Sequence, residues 1–163
     1  MENLPDKKHY LFPGNLFVHR SPHLVTTVLG SCISVCLWDS RSQIGGMNHY
    51  LLPLWNGEGL PTPKYGNIAI EKLIDKLLKL GCEKSNLKAK VFGGAAMWEQ
   101  KGGLITVGER NIELAWDLLA QNDVPIISSD VGGKLGRKLV FNSGTGEVMM
   151  RRNKGLTSVG DVR

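Results

Sequence analysis

A cysteine at position 32 and a histidine at position 49 flank two apolar runs joined by a polar turn, and together these residue types can carry out acyl chemistry. A thiol at neutral pH is a weak nucleophile. An imidazole within hydrogen-bond reach takes its proton, and the thiolate then attacks carbonyl carbon. Ile33 to Trp38 and Ile44 to Leu52 read as strands, and Asp39-Ser40-Arg41-Ser42 reads as the turn of a β-hairpin. Centred between Ser40 and Arg41, that turn sets Cys32 directly opposite His49, where Cβ atoms are about 4.5–5.5 Å apart. A bulge at Gly45-Gly46 would shift the register. The pairing predicts a Cys32 pKa below that of a free cysteine. Gly30 and Ser31, just before the nucleophile, leave room for substrate and offer backbone N–H groups to a developing oxyanion.

Other readings of the same residues are weaker on physical grounds. Free cysteines are among the most buried residues, so a strand cysteine considered alone reads as core; Cys36 and Cys82 are assigned there. Four strand residues span roughly 13 Å, too far for Cys32 and Cys36 to share a zinc ion or a disulfide. His19 and His23 flank Pro22 and so lack the one-turn helical spacing of a ligand pair. No metal or cofactor is expected. Asp130-Val131-Gly132-Gly133-Lys134 has no Ser or Thr after a Gly-Lys pair, so it reads as a glycine turn, or as one presenting basic side chains, rather than a nucleotide loop. Gly93-Gly94-Ala95-Ala96-Met97 either lines a site or lets backbones pass closely.

The elements that must position these groups follow from periodicity. Leu24 to Leu29 is β-branched and reads as a strand. Trp55 to Pro63 is a surface loop, and Asn67 is placed to cap a helix with Ile70, Leu73, Ile74, Leu77 and Leu78 on one stripe, stopping near Gly81. A strand at Lys88 to Phe92 and a short one at Leu104 to Val107 precede a helix from 109 to 121, with Ile112, Ala115, Leu118 and Leu119 inward. Pro125 to Ser129 is a strand, Lys138 to Asn142 and Glu147 to Arg151 form a closing hairpin, and 153–163 is a loose tail. The fold class is α/β, a mixed β-sheet system with two main helices packed outside it. At 163 residues, with 42% hydrophobic and 21% charged residues, the chain is expected to be a single domain over residues 1–163 that needs no disulfide to fold.

The net charge of +5 is spread along the chain rather than gathered into a nucleic-acid-binding run, and three cysteines suit a reducing compartment. With no signal-like apolar stretch over Met1 to Lys8 and no run of membrane-spanning length, the expected location is the cytoplasm, without membrane insertion.

Thr26-Thr27-Val28-Leu29-Gly30-Ser31-Cys32, Gly45-Gly46-Met47-Asn48-His49 and Leu52-Pro53 resemble the chemoreceptor glutamine deamidase family, CheD. The resemblance continues in order through Lys64-Tyr65, Phe92 to Met97, Gly108-Glu109-Arg110-Asn111, Asp130 to Gly133, Gly136-Arg137-Lys138 and Thr145-Gly146, leaving only the two ends outside it. It implies a fold of mixed sheets sandwiched with helices. It also implies Cys32 as nucleophile, His49 as acid/base partner, and a third site residue, a threonine six positions before the cysteine, at Thr26. The hydroxyl of Thr27 is the adjacent alternative. The implied substrate is a glutamine on the helical cytoplasmic part of a methyl-accepting chemotaxis receptor, converted to glutamate through a thioester, with a CheC-type phosphatase as regulatory partner. Two rival readings are a non-catalytic adaptor for such a phosphatase and a related protein amidase or methylesterase.

Overall fold

The computed structural model describes residues 4–96 and 104–153. Its strands are β1 (Lys8–Tyr10), β2 (Leu16–Val18), β3 (Leu24–Leu29), β4 (Ile33–Asp39), β5 (Ile44–Asn48), β6 (Leu87–Gly93), β7 (Ile126–Val131), β8 (Gly136–Asn142) and β9 (Val148–Asn153). The main helices are α1 (Gly66–Lys79) and α2 (Val107–Gln121). A four-stranded sheet runs β1-β3-β8-β9 and a five-stranded sheet runs β2-β5-β4-β6-β7. Both sheets are mixed, through the parallel pairs β1–β3 and β6–β7. The α/β class expected from the sequence is the one observed.

The two faces of the five-stranded sheet do different work. Ile33, Val35 and Leu37 of β4 face the helices, where Ile70, Leu73 and Leu77 of α1 and Ala115 and Leu119 of α2 complete one core. Cys36 and Met47, paired across β4 and β5, face the other way and pack with Val25, Leu29, Leu139 and Phe141 of the four-stranded sheet. The layers are therefore sheet, sheet, helices. Full burial of a side chain such as Leu73 contributes about 1.5–3 kcal/mol.

Gly45 and Gly46 set the layer spacing rather than a bulge. The β4–β5 pairing runs unbroken from Cys36–Met47 to Asp39–Ile44. A Cβ on Gly45 would lie 2.8 Å from the Ser143 carbonyl oxygen, and one on Gly46 would lie 2.8 Å from Leu73 Cδ1. One glycine admits the second sheet and the next admits α1.

Several boundaries differ from the sequence expectation. The first residue of α1 is Gly66, after Tyr65, because Asn67 uses its side-chain oxygen to accept from the Trp55 N–H instead of capping the helix. Leu104 to Thr106 form no strand; Thr106 caps α2, its hydroxyl oxygen accepting from the Glu109 N–H. Asn153 closes β9, and the rest of the expected tail lies outside the described residues, as does Met97.

Candidate functional site

Cys32 sits between β3 and β4 in the segment Gly30-Ser31-Cys32, and all three of its carbonyls are held. Gly30 accepts from the Ala95 N–H (3.0 Å), Ser31 from Asn111 Nδ2 (3.0 Å) and Cys32 from the Gly94 N–H (2.8 Å). Gly93 and Gly94 are required for this approach: both have positive φ, and a Cβ on Gly93 would lie 2.1 Å from the Cys32 carbonyl oxygen. The loop after β6 thus admits the cysteine backbone through close passage. A buried cation secures that loop from the other sheet. Arg137 of β8 donates to Asp130 (2.8 Å), to the Gly132 carbonyl (2.8 Å) and to the Gly93 carbonyl (3.3 Å). Arg137 is therefore structural rather than a basic group offered to a partner, and Gly132-Gly133 is the glycine turn it holds, both residues at positive φ.

The hairpin register differs from the expected one by two residues. Asp39 Oδ1 accepts from the N–H groups of Arg41 and Ser42, the Gln43 N–H reaches the Asp39 carbonyl, and Gln43 takes φ of 57°. The turn is centred between Arg41 and Ser42, with Asp39 opposite Ile44 and Ile33 opposite Tyr50. Continued by one residue at each end, this register sets His49 opposite Ser34 and Cys32 opposite Leu51. The two candidates are diagonal neighbours, about 7–8 Å apart along the pleat. A shift of two preserves the face. Cys32 packs against the inter-sheet core, and His49 bonds across to the opposite sheet.

That cross-sheet bond defines the histidine. Ladder pairing is interrupted one residue before it: the Val35 N–H donates to Asn48 Oδ1 (2.8 Å) and the Ser34 hydroxyl donates to the Asn48 carbonyl (2.7 Å). His49, 1% exposed, meets Thr27 Oγ1 through Nδ1 at 2.7 Å. The Thr27 hydroxyl donates its hydrogen to the Leu11 carbonyl (2.8 Å), so its oxygen accepts from His49 Nδ1–H. The network assigns the tautomer and leaves the lone pair on Nε2.

The bonded hydroxyl is that of Thr27 and not of Thr26. Val25, Thr27 and Leu29 are buried on the inner face of β3, whereas Leu24, Thr26 and Val28 occupy its outer face. Thr26, where the resemblance places the third site residue, lies on the outer face, and the adjacent alternative, Thr27, makes the bond to His49.

Electrostatics give a neutral pair. Burial lowers the His49 pKa from 6.5 to about 4, so the ring is uncharged at neutral pH. Burial raises the Cys32 pKa, partly offset by its own backbone N–H. The expected depressed thiol pKa is therefore not found, because a neutral imidazole offers no positive charge to stabilise a thiolate. Among the described residues no hydrogen bond joins Cys32 to His49. Such contacts often tighten only when substrate is bound. Cys36, wholly buried, is pushed up to about 12, and Cys82 belongs to the helix-side core. All three cysteines are free thiols. Among the described residues no cluster of three or more His, Cys, Asp or Glu is arranged to hold a metal ion, and no helix is long and apolar enough to cross a membrane.

A neutral thiol and a tautomer-fixed imidazole on one inner face are the elements of a cysteine-dependent acyl-transfer site. Comparison with known proteins gives the chain a family. The family model described as CheD chemotactic sensory transduction matches residues 51–152. The chain belongs to the CheD family.

Full-length relatives extend the match beyond that range. A protein of Trichlorobacter lovleyi named "Probable chemoreceptor glutamine deamidase CheD" is 50% identical over 150 residues, covering 92% of this chain and 93% of that protein. A protein of Sulfurimonas denitrificans with the same name is 48% identical over 147 residues, covering 89% and 94%. In Anaeromyxobacter dehalogenans, a protein named "Probable chemoreceptor glutamine deamidase CheD 1" is 39% identical over 143 residues, covering 88% and 83%. The match of 150 residues is too long to exclude positions 32 and 49 of this chain.

Asn111, which bonds the Ser31 carbonyl, is not among the site residues the sequence singles out. A signal was present: it occupies the buried stripe of α2 shared with Ala115 and Leu119, a polar residue where the helix pattern asks for an apolar one.

Proposed function

We propose that this chain deamidates glutamine side chains of methyl-accepting chemotaxis receptors, with Cys32 as nucleophile, His49 as acid and base, and Thr27 as the group that orients the imidazole. The observation that carries the reading is the Thr27–His49 hydrogen bond, because it leaves Nε2 unprotonated on the inner face that Cys32 also lines.

The reaction proceeds without a resting ion pair. As the glutamine carboxamide arrives, His49 Nε2 takes the Cys32 proton and Sγ bonds to the side-chain carbonyl carbon. The tetrahedral intermediate collapses with cleavage of the C–N bond, His49 returns the proton to nitrogen, and ammonia leaves a thioester. Water then gives a proton to His49, its oxygen attacks the thioester carbon, and the C–S bond breaks to release glutamate and restore the thiol. Burial of both groups suits this concerted route, since neither pays for a charge before substrate excludes water.

Family membership supports placing the reaction on the cytoplasmic side, where receptor helices present such glutamines, with a CheC-type phosphatase as regulatory partner. Co-elution of the two proteins tests the partnership. The activity is tested by mass spectrometry of a receptor cytoplasmic fragment incubated with the protein and with its Cys32→Ala and His49→Ala variants. Conversion of glutamine to glutamate is expected only with the unaltered protein. No conversion on several receptors, or conversion by Cys32→Ala, would overturn the reading.

A further inference from the structure

Asn111 is a fully buried polar side chain in the apolar stripe of α2. An amide removed from water without partners costs roughly 1–3 kcal/mol, so what it bonds to is informative. Its Nδ2 donates to the Ser31 carbonyl at 3.0 Å and to the Leu51 carbonyl at 2.9 Å. Both partners are acceptors, so the amide orientation is forced, and Oδ1 is left as a buried acceptor without a partner. The Asn111 main-chain carbonyl accepts from the Tyr50 hydroxyl. One helical residue thus grips the residue before Cys32 and the two residues after His49. A leucine would fill the stripe without an orphan acceptor, so the amide's contribution lies in the backbone it holds.

In a trans peptide the carbonyl and the next N–H point in opposite directions. Holding the Ser31 carbonyl toward α2 turns the Cys32 N–H away from the helix. The bonds to the Gly30 and Cys32 carbonyls fix the peptide planes on either side. The same backbone N–H offsets part of the rise that burial imposes on the Cys32 thiol. The carbonyl carbon under attack is bonded to that sulfur, so its oxygen forms within reach of the same donor.

We infer that Asn111 is a positioning residue that orients the Ser31–Cys32 peptide so that the Cys32 N–H donates to the oxyanion of the tetrahedral intermediate. The inference rests on the deamidase reading and deepens it. Removing an oxyanion donor outright costs roughly 10²–10³ in kcat; loosening one costs less.

The test compares Asn111→Leu with the unaltered protein by steady-state kinetics on a receptor fragment and by iodoacetamide alkylation of Cys32, a displacement that forms no oxyanion. Expected are a fall in kcat of roughly 10- to 100-fold, with KM and the alkylation rate each within about 3-fold. Should the leucine variant fail to fold, Asn111→Ala, which only vacates space, reads the same quantities. An unchanged kcat, or an alkylation rate that falls as far as kcat, would overturn the inference while leaving the deamidase reading in place. No turnover by the unaltered protein would remove both.

Discussion

Replacing Thr27 with valine keeps the shape of the side chain and deletes one hydroxyl that serves two partners. The Leu11 carbonyl loses its donor at 2.8 Å and His49 Nδ1–H loses its acceptor at 2.7 Å, both in a buried setting. An orphaned buried group costs about 1–3 kcal/mol, so the pair predicts roughly 2–6 kcal/mol of lost stability. For a protein of this length that corresponds to a fall in Tm of roughly 5–20 °C. The imidazole is also freed to exchange tautomers. General acid–base catalysis is worth roughly 10²–10⁴-fold, which bounds the expected loss in kcat. Thr27→Ser should retain most of the activity, since it keeps the oxygen. Thr26→Val, on the outer face, should change stability by less than about 0.5 kcal/mol and leave turnover near that of the unaltered protein. Thermal denaturation and receptor-fragment deamidation followed by mass spectrometry read both quantities. If Thr26→Val proved the damaging substitution and Thr27→Val the silent one, the assignment of the orienting hydroxyl would be wrong.

Three further outcomes are expected. His49 has a folded pKa of about 4 against 6.5 unfolded, so as pH falls the unfolded chain takes up the proton first; the stability present above pH 6.5 is lost on descending to pH 4, by about 3 kcal/mol. Urea titrations at pH 7.5 and pH 4.5 should show this loss, and His49→Gln should remove its part of the difference. Alkylation of Cys32 should still be accelerating above pH 9, because burial raises its pKa; a plateau below pH 8 would indicate a resting thiolate. Gly93→Ala drives a methyl to within 2.1 Å of the Cys32 carbonyl oxygen, at φ of 109°, and is expected to abolish turnover with a stability loss of about 3 kcal/mol or more. Gly132→Ala, where the added carbon meets open space at φ of 82°, should cost only about 1–2 kcal/mol; denaturant midpoints distinguish the two.

The sequence was most informative where a pattern had one solution. The α1 stripe of Ile70, Leu73, Ile74 and Leu77 and the alternation in the β8–β9 hairpin follow from periodicities of 3.6 and 2. Where two solutions fit equally, it could not choose. Leu24-Thr26-Val28 and Val25-Thr27-Leu29 are equally apolar alternations, so nothing local says which face of β3 meets the second sheet. The hairpin register depended on Gln43 taking a positive φ, a choice made by the Asp39 carboxylate and invisible in turn composition. Strands β1 and β2 are three residues each, too short to show alternation. The Thr106-Val107-Gly108-Glu109 capping pattern was legible and would have removed the spurious strand at Leu104 to Val107.

The Thr27–His49 bond crosses from one sheet to the other, which makes the state of the base a gauge of how the sandwich is seated. If the sheets part by even a couple of ångströms, the thiol survives but the imidazole regains an ordinary titration and a free choice of tautomer. Catalytic competence is then lost ahead of secondary structure. The hydrogen-bonded Nδ1 proton of His49 would report that separation directly, as a resonance expected to vanish while the helical circular dichroism is still intact.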